Sequence, residues 1–384
     1  MQQLYALSQA EKSDYQLTLD WIAEQFLPDL NSMKPQDRTK LEGLKKLTLL
    51  QFEELLKNKG ADEEMPLQVQ RVAREAVQRY KDLLRKDQHF CSKRLIEETE
   101  VIYNLYLKIL MMIVEIGDEA KLSDERRWYD IDENEKNDSS TPTQYKTAIF
   151  SQNTVVEALR KYKPLETEAI RHSVTWDADR IMMRKFFRDV IKTNERFQSY
   201  CQSNVRSDEE DRKLVWFLIR NIILKNEVME SYFLEKDLNW AEDSDVVQGM
   251  LKRTFKILEE ENKVELQQLS PSWEDDKYFY VDLFKKTIES DDQYETLIIQ
   301  KIPNWDAERI ALTDKILLKM ALAEMIHFPS IPIKVTINEF IEVAKEYSTP
   351  KSGQFINGIL DNLSSQLQKD GTIRKSGRGL IDTK

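Results

Sequence analysis

Asn304-Trp305-Asp306-Ala307-Glu308-Arg309-Ile310 opens the stretch that decides the fold, residues 304–363. An apolar helix is expected from there to about Phe328. Next come Pro329-Ser330-Ile331-Pro332-Ile333-Lys334, a second helix to Tyr347 and the turn Ser348-Thr349-Pro350. A third helix then begins Lys351-Ser352-Gly353-Gln354-Phe355-Ile356-Asn357-Gly358. Asn304 or Asp306 is the expected N-cap of the first helix, since either side chain can accept from its orphan backbone N–H groups. Between 310 and 328 only Asp314, Lys315, Lys319, Glu324 and His327 carry polar groups of any length. A helix apolar on most sides is buried by several neighbours. This one is therefore the expected centre of an all-α bundle.

The second helix has a narrower stripe, Ile337, Phe340, Ile341 and Ala344. Lys334 and Lys345 are eleven residues apart, about three turns, and share one side of it. Thr349 is the expected cap of the third helix, with Pro350 in its first turn, where a missing N–H is harmless. Ile356, Ile359, Leu360, Leu363 and Leu367 form its core face. Gly353 and Gly358 interrupt that helix, and each costs about 1 kcal/mol against alanine. Close approach explains them, either of a neighbouring helix or of a ligand or nucleic-acid backbone.

Three runs carry a family resemblance. They are Ile331-Pro332-Ile333-Lys334-Val335-Thr336-Ile337-Asn338-Glu339, then Ala344-Lys345-Glu346-Tyr347, then Lys351-Ser352-Gly353-Gln354-Phe355-Ile356-Asn357-Gly358-Ile359-Leu360-Asp361. Together, in register and with both turns, they resemble the C-terminal half of NusB, a family of bacterial transcription antitermination factors. Residues 1–10 are similar to the later part of that family's first helix, with Gln2, Leu4 and Tyr5 in its Gln-x-Leu-Tyr pattern. The arginine-rich part that precedes this pattern in the family is absent. Either the start lies at an internal methionine, or an RNA-contact element has been lost.

Working outward, 384 residues suggest two or three helical subdomains. Nine glycines, ten prolines and 33% charged residues favour helix over sheet. A net charge of −11 means that any RNA contact needs a local basic patch acting against a repulsive background. Cys91 and Cys201 lack partners at metal spacing and suit a reducing, cytoplasmic setting. No signal peptide and no apolar run of spanning length is present.

The resemblance divides the chain as follows. Residues 1–10 are the remnant of the first helix, 11–143 an inserted helical region, and 144–273 inserted repeat-like units. Residues 274–369 are the NusB-like core and 370–384 a basic tail. Such an enlarged form resembles the NusB-like proteins of the Bacteroidetes. Within 14–87, Pro28, Pro35, Gly60 and Pro66 mark breaks. Arg71, Arg74, Arg79, Lys81, Arg85 and Lys86 give a solvated basic face. A separate long apolar helix is expected over 88–121, with Met111 and Met112 in its core face, followed by an exposed loop over 130–143. Trp176, Trp240 and Trp305, spaced 64 and 65 apart, suggest a repeat of about 65 residues. The tryptophans read as corner packing, with base stacking as the other use. The tail, with Arg374, Lys375, Arg378 and Lys384, is expected to be disordered and to attract RNA weakly.

No glycine-rich phosphate loop, no nucleophile pairing and no metal spacing is present. The sequence therefore points away from an enzyme and calls for no cofactor. By resemblance, the expected function is antitermination through boxA-type single-stranded RNA, bound together with NusE, a small-subunit ribosomal protein, at the transcription elongation complex. The implied contacts are Gln2 and Tyr5 from the first helix and Lys351, Ser352, Gln354, Phe355 and Asn357 from the last. Lys334 and Lys345 add phosphate contacts, and Asp314 stands where some members place an acidic RNA-site residue. Lys351 stands where the family often has an acid, which should strengthen phosphate attraction. Phe355 reads equally as partial core, and Asn357 equally as a cap or bridge. The alternative function is a helical protein-interaction scaffold that has lost RNA binding.

Overall fold

Few glycines or prolines interrupt the chain, and the described residues are mostly helical, with no strand among them. The structure, a computed structural model, describes residues 1–28, 37–57, 64–133, 146–203, 206–302 and 310–383, with no side-chain description for 126–133, 382 and 383. Its helices are α1 (Gln2–Glu24), α2 (Arg38–Leu56), α3 (Leu67–Glu133), α4 (Thr154–Lys161), α5 (Lys163–Arg171), α6 (Arg180–Phe186), α7 (Glu195–Gln202) and α8 (Asp208–Phe217). They continue as α9 (Glu227–Lys236), α10 (Trp240–Glu261), α11 (Trp273–Glu289), α12 (Asp291–Gln300), α13 (Leu312–His327), α14 (Ile333–Tyr347) and α15 (Ser352–Lys369). Two compact units result: Met1–Ile96 with Lys277–Lys384, and Glu97–Asp276.

In the first unit α13 is the centre, as its nearly all-round apolar surface requires. It packs against α1, α12, α14 and α15. Leu317, Leu318, Ala321, Leu322, Ala323 and Met325 are fully buried. Each leucine contributes about 2 kcal/mol of burial. Leu4 and Leu7 of α1 join Cys91, Phe284 and Ile316 in an adjoining cluster. A third cluster closes α1, α2 and the start of α3 around Ile22, Phe52 and Val72.

Several expectations change. The helix matched at residues 1–10 runs on to Glu24, because nothing in 11–24 breaks it. The basic-faced helix ending near 87 and the apolar helix over 88–121 are one helix, α3, which carries no proline between its ends. It continues through Asp130 to Glu133, where a loop was expected; the rest of that loop lies outside the described residues. Asn304, Trp305, Asp306, Pro35 and Gly60 also lie outside them.

The tail is not free either. Ile373 is buried in the core, the Ser376 N–H donates to the Pro329 carbonyl at 3.0 Å, and Lys375 Nζ donates to the Phe328 carbonyl at 2.9 Å. Burial lowers the pKa of Lys375, with Glu324 opposing. A Cβ at Gly379 would collide with the Pro329 carbonyl oxygen, so close approach requires glycine there.

The second unit has its own core, built from α3 and α4 to α10. Here the 65-residue repeat gives way to a shorter recurrence. α6 and α8 both end in a single π-helical turn, Phe187–Ile191 and Leu218–Ile222. Each turn leads to an asparagine that caps the next helix, Asn194 for α7 and Asn226 for α9. Arg188 and Arg220, Ile191 and Ile223, Asn194 and Asn226, and Tyr200 and Tyr232 are each 32 residues apart. Trp176 and Trp240, 64 apart, are two such steps from each other. Both are buried as corner packing. Trp176 leads into a 3₁₀ turn and a short helix, whereas Trp240 opens a helix of 22 residues.

Candidate nucleic-acid interface

Of the expected contacts, Asp314, Lys345, Lys351, Ser352, Gln354, Phe355 and Asn357 gather at the corner where α14 turns into α15. Asp314, in the first turn of α13, pins that corner. Ser348 Oγ donates to Asp314 Oδ1 at 2.6 Å, and Ser352 Oγ donates to Asp314 Oδ2 at 2.8 Å. The two serine hydroxyls are 3.0 Å apart. Thr349 Oγ1 lies 2.9 Å from Ser352 Oγ, and Thr313 Oγ1 lies 3.3 Å from Ser348 Oγ. One carboxylate thus ties the end of α14 and the start of α15 to the central helix. Charge-assisted hydrogen bonds of this kind are worth roughly 1.5–3 kcal/mol.

Thr349 consequently does not cap α15 as expected. Its hydroxyl goes to Ser352, the N-cap is Lys351, and Pro350 precedes it. Asp314 and Ser352 are 6% and 3% exposed, so they hold the corner rather than display themselves. Ser348 was missed in the sequence; the hydroxyl run Ser348-Thr349-Pro350-Lys351-Ser352 was the available signal.

What the corner displays is different. Lys351, Gln354, Phe355 and Gly358 recur at helical spacing on one outer face of α15. The Lys351 ammonium and the Gln354 amide are exposed and have no side-chain partner among the described residues. Phe355 is half-buried against the core, with one part in contact and one part accessible. Asn357 is half-buried and makes no side-chain hydrogen bond among the described residues. A Cβ at Gly358 would meet nothing within 4 Å, and one at Gly353 would sit 3.6 Å from Ile341 Cγ2, an ordinary contact. Gly353 faces α14, whereas no described neighbour requires Gly358, which leaves the outer face of α15 in low relief there.

Lys345 lies near the corner and pairs with Glu342 at 2.6 Å. Lys334, at the far end of α14, is about 16 Å from Lys345 along the helix. The structure therefore brings Lys345 to the corner and leaves Lys334 apart. Gln2 and Tyr5 occupy the outer side of α1, Tyr5 42% exposed, while Leu4 and Leu7 bury the inner side. A pocket of about 530 Å³ between α1, α12 and α13 is lined by Ser8, Glu11, Asp291, Lys315 and Lys319, and includes none of the expected contacts. Lys319 bridges Asp291 and Glu295 there, each at 2.8 Å. Among the described residues no cluster of His, Cys, Asp and Glu is arranged to hold a metal ion, and no helix is long and apolar enough to cross a membrane.

Residues 245–365, from within α10 to near the end of α15, match the NusB family. The transcription antitermination protein NusB of Dictyoglomus turgidum is 35% identical over 127 residues, which cover 33% of this chain and 84% of that protein. This chain belongs to the NusB family. NusB of Chloroherpeton thalassium is 42% identical over 28% of the chain and 50% of its own length. NusB of Salinibacter ruber is 42% identical over 26% of the chain and 62% of its own length. The chain thus spans about half to three-fifths of these two NusB relatives. No solved structure matches. The corner pinned by Asp314 lies inside the NusB match, and most of the second unit lies outside it.

Proposed function

We propose that this chain is a transcription antitermination factor that binds boxA-type single-stranded RNA together with NusE, at the corner between α14 and α15. The observation that carries the reading is the outer face of α15. An ammonium and an amide without side-chain partners among the described residues, and a partly exposed phenyl ring, sit side by side on a backbone held by a buried hydroxyl–carboxylate network. Lys351 attracts phosphate, Phe355 offers a surface to an unstacked base, and Gln354 and Asn357 supply donors and acceptors for base edges. Asp314, Ser348 and Ser352 act through positioning. Lys345 adds charge at the corner, Gln2 and Tyr5 extend the surface from α1, and Lys334 contributes only to a longer strand. Relatives matching this segment are named transcription antitermination proteins, which supports the same use here.

A second reading, a protein-interaction scaffold, draws on the independent core of the second unit and on the net charge of −11. One experiment separates the two. A labelled boxA-like RNA is titrated with the full chain, with and without NusE, at low and physiological salt. Antitermination predicts tighter, salt-sensitive binding when NusE is present, with a slope of about −0.7 per phosphate contact. Absence of RNA binding in both conditions favours the scaffold.

A further inference from the structure

The second unit contains a groove that the antitermination reading does not use. It lies between α8 with its π turn and α10, encloses about 420 Å³, and has Trp216 and Phe255 at its base. The two rings are 5.3 Å apart between centroids and tilted by 45°. Phe255 is buried, whereas Trp216 keeps part of its surface open.

The walls are two basic ladders at helical spacing. Arg212, Trp216 and Arg220 rise along one wall, and Gln248, Lys252 and Lys256 along the other, each at steps of four. Lys213 adds a fifth cation; Glu209 and Glu259 are the two acids of the lining. Lys213 pairs with Glu209 at 2.5 Å and Lys256 with Glu260 at 3.7 Å. Arg212, Arg220 and Lys252 make no hydrogen bond or ion pair through their side chains among the described residues. In a chain of net charge −11, three cations stand around one partly exposed tryptophan; Arg220 and Lys252 have no acidic partner among the described residues, and Arg212 also acts electrostatically on Glu209. Arg220 stands on the π turn Leu218–Ile222, a distortion of the helix frequently found at functional sites.

We propose that this groove binds single-stranded RNA, with phosphates held by Arg212, Arg220 and Lys252 and a base stacked on Trp216. Charge complementarity selects a polyanion. The partly exposed indole between the cations selects one with unstacked rings, which a duplex does not offer. An acidic protein segment would satisfy the charges and leave the aromatic base of the groove without a role. The site is separate from the α15 face and does not depend on the function proposed for it.

The test is fluorescence anisotropy of a short fluorescein-labelled oligouridylate with the full chain, over a range of salt. The double variant Arg220→Glu with Lys252→Glu is expected to bind about tenfold or more weakly, with a salt slope lower by about 1.4 for the two lost phosphate contacts. Both residues are exposed, so the variant keeps its helical signal. Trp216→Ala is expected to weaken binding about tenfold while leaving the salt slope nearly unchanged, and Trp216→Phe to recover most of the loss. Unchanged binding in the double variant overturns the proposal. So does loss of binding confined to Lys351→Glu with Phe355→Ala, which would place all RNA on α15. Displacement of the RNA by oligoglutamate at equal charge concentration would assign the groove to acidic protein segments, and also overturns it.

Discussion

Each unit contains a carboxylate that accepts from at least one hydroxyl, and the two differ in what they leave free. In the first unit Asp314 takes two serine hydroxyls, and the neighbouring Lys351 keeps its charge exposed. In the second, Asp179 accepts from Tyr232 OH at 2.5 Å and also from Lys108 Nζ at 3.1 Å. Lys108 Nζ further donates to the Thr175 carbonyl at 2.7 Å and lies 4.3 Å from the centre of the Trp176 ring. Burial opposes ionisation of Asp179, yet the hydrogen bonds from Tyr232 and Lys108 hold its pKa below the ordinary range. Burial and the bond to Asp179 push the Tyr232 phenol up. A hub that recruits its own cation locks a core. A hub made from neutral hydroxyls can hold a surface cation in place for another molecule.

The contrast is broken most forcefully in the cores. Leu318→Ala in α13 should destabilise the first unit by about 2–5 kcal/mol, because the central helix cannot collapse around the void. The measurement is chemical denaturation, read where the two units unfold separately. Asp314→Ala should cost about 2–3 kcal/mol, leaving the Ser348 and Ser352 hydroxyls without their acceptor. It should also weaken boxA-like RNA binding. Unchanged RNA affinity in a folded Asp314→Ala protein would separate the hub from the interface.

Lys351→Glu with Phe355→Ala should weaken RNA binding about tenfold or more at physiological salt while the circular dichroism stays helical. Loss of helix in that variant would make the pair structural.

The glycines sharpen the comparison. Gly358→Ala should raise stability by up to about 1 kcal/mol, since a methyl group meets open space and favours helix. If RNA lies against this face, the same methyl group lowers RNA affinity. Gly379→Ala should destabilise, because its methyl group would collide with Pro329.

The smallest effect is one of pH. Burial, then Asp237, raises the pKa of Asp243 to about 7. The folded second unit therefore holds this proton more tightly than the unfolded chain does. Stability should fall as pH rises from about 4 through 7, by roughly 1 kcal/mol once solvent screening is allowed for. Asp243→Asn should flatten that slope in thermal melts of the full chain.

The all-α fold, the central helix and the two helices after it were legible because their apolar spacing and breakers agree. The span of α3 was less so: a basic solvated stretch and an apolar stretch look like two helices when only the polarity changes. The recurrence in the second unit was masked because tryptophans mark every second step, while the asparagine caps and π turns mark each one. On α15, the shared outer face of Lys351, Gln354 and Phe355 could be read from their helical spacing. The burial of Asp314 and Ser352 could not, since a hydroxyl or carboxylate near a turn has the same sequence signature whether it faces water or a partner. The folded tail hid for a related reason, its apolar anchor being the single residue Ile373 in a basic segment.

The most direct measurement is the affinity of the full chain for labelled boxA-like RNA with NusE present, at two salt concentrations, for the native protein and for Lys351→Glu with Phe355→Ala. The account predicts salt-sensitive binding that NusE tightens and the double variant loses. Equal affinity of the two proteins, or no binding by either, would contradict the assignment of RNA to the outer face of α15.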